Sequence, residues 1–211
     1  MKSVVMVLAG AIVLGGVASA QTSDRGYVEG VAQSAFGNVT SQSYGVEFGA
    51  TIRPTLQVYG EFGQIRDVAD TAFTTNASTI ASALAQVQSA AVGFTAKRPV
   101  LFGGGGIKFR PATTMKVQPY VLGGFGFGQV KNDVTYTLGG TEATDSALAP
   151  YVTLGSDLSG SSTHPMLTLG GGADVPLGRM LLLDLQYRYG RIFGDEGIST
   201  NRAGVGFGVR F

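Results

Sequence analysis

Apolar and polar residues alternate along most of the chain with a period of two, the pattern of β-strands that have one apolar face. The most regular segments are 44–53 and 202–211. In the first, Tyr44 and Phe48 share one face, whereas Glu47 lies on the other. Similar segments follow at 27–36, 56–62, 100–109, 116–130, 166–175 and 181–189. The pattern therefore predicts eight strands.

The connections between these strands alternate in length. Three are tight and rich in turn residues: 53–55, 110–115 and 176–179. The others are 37–42, which is short, and the longer segments 66–99, 131–164 and 190–201. Tight turns at one end and longer loops at the other are typical of transmembrane barrels. We therefore predict an all-β fold, an eight-stranded antiparallel up-and-down transmembrane β-barrel, with the tight turns in the periplasm and the long loops outside.

One segment departs from the period of two. Residues 76–88 place Ile80, Leu84 and Val87 at the spacing of one helical face, and Asn76 is a suitable N-cap. We predict a short helix here, inside the second outer loop.

The N-terminus has the features of an export signal. Lys2 precedes the apolar run 4–17, and Ala18-Ser19-Ala20 is an A-x-A cleavage site. We predict that residues 1–20 are a signal peptide used by the Sec pathway and that the barrel domain spans 21–211. No cysteine follows the site, which argues against a lipoprotein.

Charge and hydropathy narrow the class of protein. Without Lys2, the 15 basic residues fall to 14 and balance the 14 acidic ones, so we expect no nucleic-acid partner. Charged residues make up 14% of the chain, against about 25% in soluble proteins. After the signal no apolar run reaches the ~18 residues of a membrane helix. A soluble lipocalin-like carrier is the architectural alternative, and it would need a charged exterior.

The polar strand face carries five acids and five bases, which we expect to line the lumen. They are Glu29, Glu47, Glu61, Asp174, Asp184, Lys108, Lys116, Arg188, Arg202 and Arg210. An eight-stranded barrel is just wide enough for side chains to fill it, and unpaired buried charges are costly. We therefore predict a lumen network closed by charge pairing, with Arg188 and Arg202 as the first candidates to reach Glu47 and Glu61.

The apolar face carries aromatic residues near the ends of the strands, where lipid interfaces favour them. The predicted girdle consists of Tyr44, Phe125, Phe127, Tyr187 and Tyr189 towards the outer ends and Phe109 and Phe211 at the inner ends. The face of Tyr27 is ambiguous.

Two segments, 119–128 (PYVLGGFGFG) and 201–211 (NRAGVGFGVRF), carry a family resemblance. They resemble the small outer-membrane β-barrel proteins of the opacity-protein and OmpA/OmpX kind. The resemblance covers the whole mature chain and implies a Gram-negative outer-membrane location, with membrane lipid and the barrel-assembly machinery as partners. It also implies that the last strand, with Phe207 and the C-terminal Phe211, is the assembly signal.

Candidate chemistry is sparse. His164 lies near Ser161 and Ser162, but the sequence offers no positioned partner for a catalytic set. The run Gly103–Gly106 lacks the lysine of a phosphate-binding loop. The loop acids Asp133, Glu142, Asp145 and Asp157 match no calcium-loop spacing. We predict no catalytic residue, no cofactor and no metal site.

Three functions remain open. The leading hypothesis is a structural or adhesin-like scaffold that displays loops 66–99 and 131–164, where we expect any extracellular ligand to bind. The alternatives are a narrow passive pore and an outer-membrane lipid-modifying enzyme.

Overall fold

A computed structural model describes residues 25–88, 91–143, 159–194 and 197–211. The predicted signal peptide, 1–20, lies outside these residues. Within the described residues, ten strands form a single antiparallel sheet, and one helix connects two of these strands along the chain. In chain order they are β1 (Gly26–Phe36), β2 (Ser41–Arg53), β3 (Leu56–Ile65), α1 (Thr71–Gln88), β4 (Val92–Lys97), β5 (Val100–Phe109), β6 (Gln118–Leu138), β7 (Thr141–Glu142), β8 (Ser159–Leu177), β9 (Leu181–Ile192) and β10 (Ile198–Arg210).

Eight of these strands close into a ring. Each pairs with its neighbour along the chain, in the order β1, β2, β3, β5, β6, β8, β9, β10. The ring closes where Tyr27–Phe36 of β1 pairs with Asn201–Arg210 of β10. A closed ring leaves no edge strand in the membrane, where unpaired backbone groups are costly. The predicted eight-stranded up-and-down barrel is confirmed.

The two faces of the ring differ in polarity as the alternation predicts. Outward positions are exposed and apolar, including Val46, Phe48, Phe62, Val121, Leu185 and Val205. Inward positions hold nearly all the buried charged groups. A soluble carrier would need the reverse arrangement, so the lipocalin-like alternative is ruled out.

Two strands are much longer than the ~9–11 residues that span a bilayer. β6 has 21 residues and β8 has 19, and the two stay paired as far as Asp133 and Ser159. Beyond that point β6 pairs with β4 and turns through Gly139 and Gly140 into β7. The predicted outer loops at 66–99 and 131–164 therefore contain strand and helix in their described parts. We call residues 67–88, 91–98, 131–143 and 159–163 the outer platform.

The helix of the platform begins earlier than predicted. Asp70 caps it by accepting a hydrogen bond from the Phe73 backbone N–H (2.7 Å), so the cap is not Asn76. Its buried face consists of Phe73, Ala77, Ala81 and Leu84, whereas Val87 is 63% exposed. Among the described residues, no helix is long and apolar enough to cross a membrane.

The inside of the barrel is filled in two layers. Towards the long loops, nine buried apolar residues from seven barrel strands and the segment after β3 form one cluster. They are Ala35, Ile65, Val68, Val100, Phe102, Val130, Met166, Ile192 and Ile198, each at most 9% exposed. We call this cluster the aliphatic layer. Below it, towards the tight turns, lies a layer of charged and aromatic polar side chains, which we call the ionic layer.

Candidate functional site

The ionic layer is a cluster of buried charged and phenolic side chains. The period of two directs its members inward from six strands, at the end of the barrel that carries the tight turns. It contains Glu29 (β1), Glu47 (β2), Lys108 (β5), Tyr120 (β6), Asp174 (β8), Asp184 and Arg188 (β9), together with Tyr27 of β1; each is at most 3% exposed.

Glu47 is the centre of this layer. Its Oε2 accepts a hydrogen bond from Nη2 of Arg188 at 2.8 Å, and its Oε1 lies 2.9 Å from Nζ of Lys108. The Tyr27 hydroxyl donates to Oε1 at 2.7 Å. Two cations and one phenol thus surround a carboxylate that is 2% exposed.

Two tyrosines complete the coordination of Lys108. Its ammonium lies 4.3 Å from the ring centroid of Tyr27 and 4.1 Å from that of Tyr120, within cation–π range. The Tyr120 hydroxyl donates to Asp184 at 2.7 Å. The alternation does not assign Tyr27 to a face and does not predict a role for Tyr120. Tyrosine is compatible with either face of a strand, so the pattern alone cannot identify it as a lumen residue. The requirement for a donor beside each buried carboxylate is the signal that could have identified them.

The next level of the lumen holds a second ion pair. Nη2 of Arg202 lies 3.4 Å from Oε2 of Glu61, and Thr168 donates to Oε1 of Glu61 at 2.9 Å. The guanidinium of Arg202 stacks 4.2 Å from the Phe102 ring centroid, where the ionic layer meets the aliphatic layer. The structure thus brings Arg188 to Glu47 and Arg202 to Glu61.

One predicted lumen base lies outside the lumen, and another lies at its periplasmic rim. Lys116 is exposed in the turn before β6 begins at Gln118, so it does not belong to the lumen. Arg210 is half-buried at the rim, where it donates to the Gly178 carbonyl oxygen at 2.8 Å. In their place Arg110, which was not predicted, lies 3.6 Å from Asp174.

Inward glycines leave the space that these side chains occupy. A Cβ at Gly206 would lie 2.8 Å from Cδ of Glu29, and one at Gly124 would lie 2.6 Å from the Tyr59 hydroxyl. A Cβ at Gly49 would overlap the Tyr27 ring. Glycine therefore sets which long side chains can enter the lumen at each level.

The predicted girdle residues all lie on the outward face. Tyr44, Phe109, Phe125, Phe127, Tyr187 and Phe211 are exposed, and so is Phe207. Tyr189 is half-buried, and its hydroxyl lies 3.2 Å from the Ser199 hydroxyl. Phe211 also accepts backbone hydrogen bonds from Arg25 (2.6 Å) and Gly26 (3.0 Å), which ties the C-terminus to the start of β1.

A buried arginine connects helix α1 to strand β6 within the outer platform. Nη1 of Arg98 lies 3.3 Å from Asp70 at the start of α1, and its Nε donates to Asn132 of β6 at 2.9 Å. Its guanidinium lies 4.6 Å from the Phe73 ring centroid. Deeper in the platform, burial raises the pKa of Tyr136. The helix is thus fixed to the extended hairpin by a polar anchor and an apolar face.

The remaining candidate residues show no catalytic arrangement. His164 is on β8 rather than in a loop, and its Nε2 lies 2.9 Å from the Ser162 hydroxyl. Among the described residues, no carboxylate lies within ion-pair distance of His164. Asp133 is paired with Lys131 at 3.3 Å, and Glu142 is exposed on β7. Asp145 and Asp157 lie outside the described residues.

A family comparison identifies this architecture. Residues 6–211 match the model of the outer membrane protein beta-barrel domain. The chain belongs to that family. Membership places it in the Gram-negative outer membrane, where family barrels have periplasmic turns and longer extracellular loops. No match was found among curated proteins.

Solved structures of outer-membrane proteins share the fold at low sequence identity. Neisserial surface protein A is 13% identical with a TM-score of 0.54, over 88% of this chain and 96% of that one. The attachment invasion locus protein Ail of Yersinia pestis is 16% identical with a TM-score of 0.50, over 90% and 100%. A major outer membrane protein of Thermus thermophilus is 14% identical with a TM-score of 0.55, over 88% and 99%. At these identities the likeness shows the fold alone.

Proposed function

We propose that this protein is a closed outer-membrane scaffold that presents the outer platform to extracellular ligands, in the manner of an adhesin. The filling of the lumen carries this proposal. Ion pairs cross the lumen in the ionic layer and at the Arg202–Glu61 level, and the aliphatic layer fills the barrel above them with buried apolar side chains. A barrel filled at both levels is suited to anchoring and display rather than to transport.

The outer platform supports the display role. Strands β6 and β8 extend past the span, and α1 packs on the extension through Arg98 and two apolar clusters. An ordered surface loses less conformational entropy on binding than a disordered loop does. Ail, which shares the fold, has a crystal structure in complex with the heparin analogue sucrose octasulfate, and this makes a sulfated polysaccharide a reasonable first ligand to test.

Attachment of whole cells tests this function. Bacteria that display the unmodified chain are compared with bacteria that display a variant in which a short glycine–serine turn replaces residues 71–88. Heat-modifiable gel mobility controls for an intact barrel in both. We expect attachment to heparin-coated surfaces by the first and a strong loss by the second. The proposal is contradicted if both strains attach equally well. It is also contradicted if neither strain attaches to surfaces coated with heparin or with extracellular-matrix proteins.

A narrow passive pore is the second candidate function. The charged groups that line the periplasmic half of the lumen favour it, because such groups line ion paths in larger barrels. Conductance separates it from the scaffold. The lipid-modifying enzyme has weaker support, since His164 has a hydroxyl neighbour but no carboxylate to orient it among the described residues.

A further inference from the structure

The acids of the ionic layer are not all matched by ion pairs within the described part of the protein. Its acids are Glu29, Glu47, Asp174 and Asp184. Its bases are Lys108, Arg188 and, at the periplasmic rim, Arg110. Among the described residues, these cations form ion pairs with Glu47, Asp174 and Asp184, whereas Glu29 lies beyond ion-pair distance of every cation.

Glu29 is the acid that has no partner among the described residues. This side chain is 1% exposed, and neither of its carboxylate oxygens has a hydrogen-bond partner. No cation lies within ion-pair distance of it among the described residues, whereas Glu47 has two and Asp174 has one. A buried carboxylate without a partner carries a large desolvation cost, so a positive charge from outside the protein would stabilise it.

The register brings Glu29 beside two other carboxylates. Glu29 pairs directly with Glu47 across β1 and β2, and Asp184 reaches the same point from β9. One carboxylate oxygen from each of the three lies within 4.8 Å of the others. Ligand oxygens of one Ca²⁺ ion, at 2.3–2.6 Å from the metal, are separated by at most about 5 Å. Diagonally across from Glu29, on β10, the missing side chain of Gly206 leaves the space in which the Glu29 carboxylate lies.

We propose that Glu29, Glu47 and Asp184 form a binding site for a hard metal cation inside the barrel. The ligands are all carboxylate oxygens, the donors that Ca²⁺, Mg²⁺ and Na⁺ prefer. Lys108 and Arg188 neutralise part of the charge of Glu47 and Asp184, so the cation chiefly compensates Glu29. It completes the charge pairing of the ionic layer and joins β1, β2 and β9. The proposal does not depend on any extracellular ligand.

Thermal unfolding of the refolded barrel tests this site. The mature chain is refolded into detergent micelles in metal-free buffer, and its melting temperature is measured with CaCl₂, MgCl₂ or NaCl. Choline chloride at matched ionic strength serves as the control, because choline is too large for the site. We expect a saturable rise in melting temperature with at least one metal salt over choline, since a ligand that binds only the folded state stabilises it. The salt that acts at the lowest concentration identifies the preferred cation.

Substitution locates the effect. Glu29→Gln removes the uncompensated charge, so we expect this variant to melt above the unmodified barrel in choline and to lose the metal-specific rise. Glu142→Gln, on the exposed strand β7, should keep the rise. No metal-specific rise in the unmodified barrel overturns the proposal, and so does a rise that persists in Glu29→Gln.

Terbium(III) gives a readout that does not depend on how well a variant folds. Tyr27 and Tyr120 donate hydrogen bonds to Glu47 and Asp184, close enough to sensitise terbium at the site. We expect tyrosine-excited terbium emission from the folded, unmodified barrel and its displacement by Ca²⁺. Absence of this emission overturns the proposal.

Discussion

Arg188 and Glu47 meet inside the barrel although 141 residues separate them in the chain. Nη2 of Arg188 donates to Oε2 of Glu47 at 2.8 Å, and neither side chain is more than 2% exposed. They lie on strands β9 and β2, which are not neighbours in the ring. The pair therefore crosses the lumen and connects two strands that are three places apart in the ring.

Replacement of Glu47 should strongly destabilise the barrel. Glu47→Gln leaves Arg188 and Lys108 without their shared carboxylate, at a cost on the order of 3–5 kcal/mol for a broken buried pair. Denaturant unfolding in detergent micelles measures the loss, and the exposed Glu142→Gln is the matched control. A loss no larger than that of the control would show that the pair does not stabilise the fold.

Adding a side chain to an inward glycine should destabilise the barrel more than adding one to an outward glycine on the neighbouring strand. Gly49→Ala places a methyl group against the Tyr27 ring and should cost about 1–3 kcal/mol, the usual range for overpacking. Gly30→Ala is the control, because Gly30 faces outward and its nearest neighbour would be the Phe207 oxygen at 4.0 Å. Equal unfolding midpoints for the two variants would contradict the account of the inward glycines.

Removal of the Arg98 side chain should release α1 without opening the barrel. Arg98→Ala loses the contacts to Asp70, Asn132 and Phe73 together. Limited proteolysis should then cut within 67–98 much faster, while heat-modifiable gel mobility is retained. Lys97→Ala, at the exposed neighbouring position, should behave as the unmodified protein does. Unchanged proteolysis of Arg98→Ala would mean that the apolar face of α1 suffices to hold the helix.

Phe211 should affect assembly more than stability. Phe211→Ala keeps the backbone hydrogen bonds of this residue to Arg25 and Gly26, so it tests the side chain alone. We expect less membrane-inserted protein in cells, while protein refolded in detergent keeps a similar melting temperature. Val209→Ala, at the previous outward position of β10, is the control. Normal insertion of Phe211→Ala would argue against an assembly role for the ring.

The alternation predicts the ring and its faces because lipid outside and charge inside leave a clear mark on a period-two pattern. The same reasoning predicts the contact of Arg188 with Glu47, since both residues fall at inward positions of strands that are not neighbours. It fails at Lys116, because the alternation of polar and apolar residues already begins in the turn that precedes β6. Only the position of the turn distinguishes the two cases.

Outside the membrane the pattern gives less information. Beyond the membrane both faces of a strand can be polar, as at Lys131, Asn132 and Asp133 of β6. The apolar face is then missing, and the sequence pattern predicts a loop instead of a strand. The first five residues of α1 include Thr71, Thr74 and Thr75. Because threonine has a low helix propensity, the sequence pattern does not predict that the helix begins here. The alternation also does not predict the aliphatic layer. Its members Ile65, Val100 and Ile192 face inward, although aliphatic side chains on barrel strands are expected to face lipid.

Single-channel recording tests the central claim, the closed lumen, most directly. The refolded, unmodified barrel is inserted into a planar lipid bilayer in molar KCl, and insertion is verified by gel mobility of protein recovered from vesicles of the same lipid. We predict no steady current above the bare bilayer, because the aliphatic layer and the paired ionic layer fill the barrel in series. A large, steady and reproducible current would contradict the scaffold and establish the barrel as a pore.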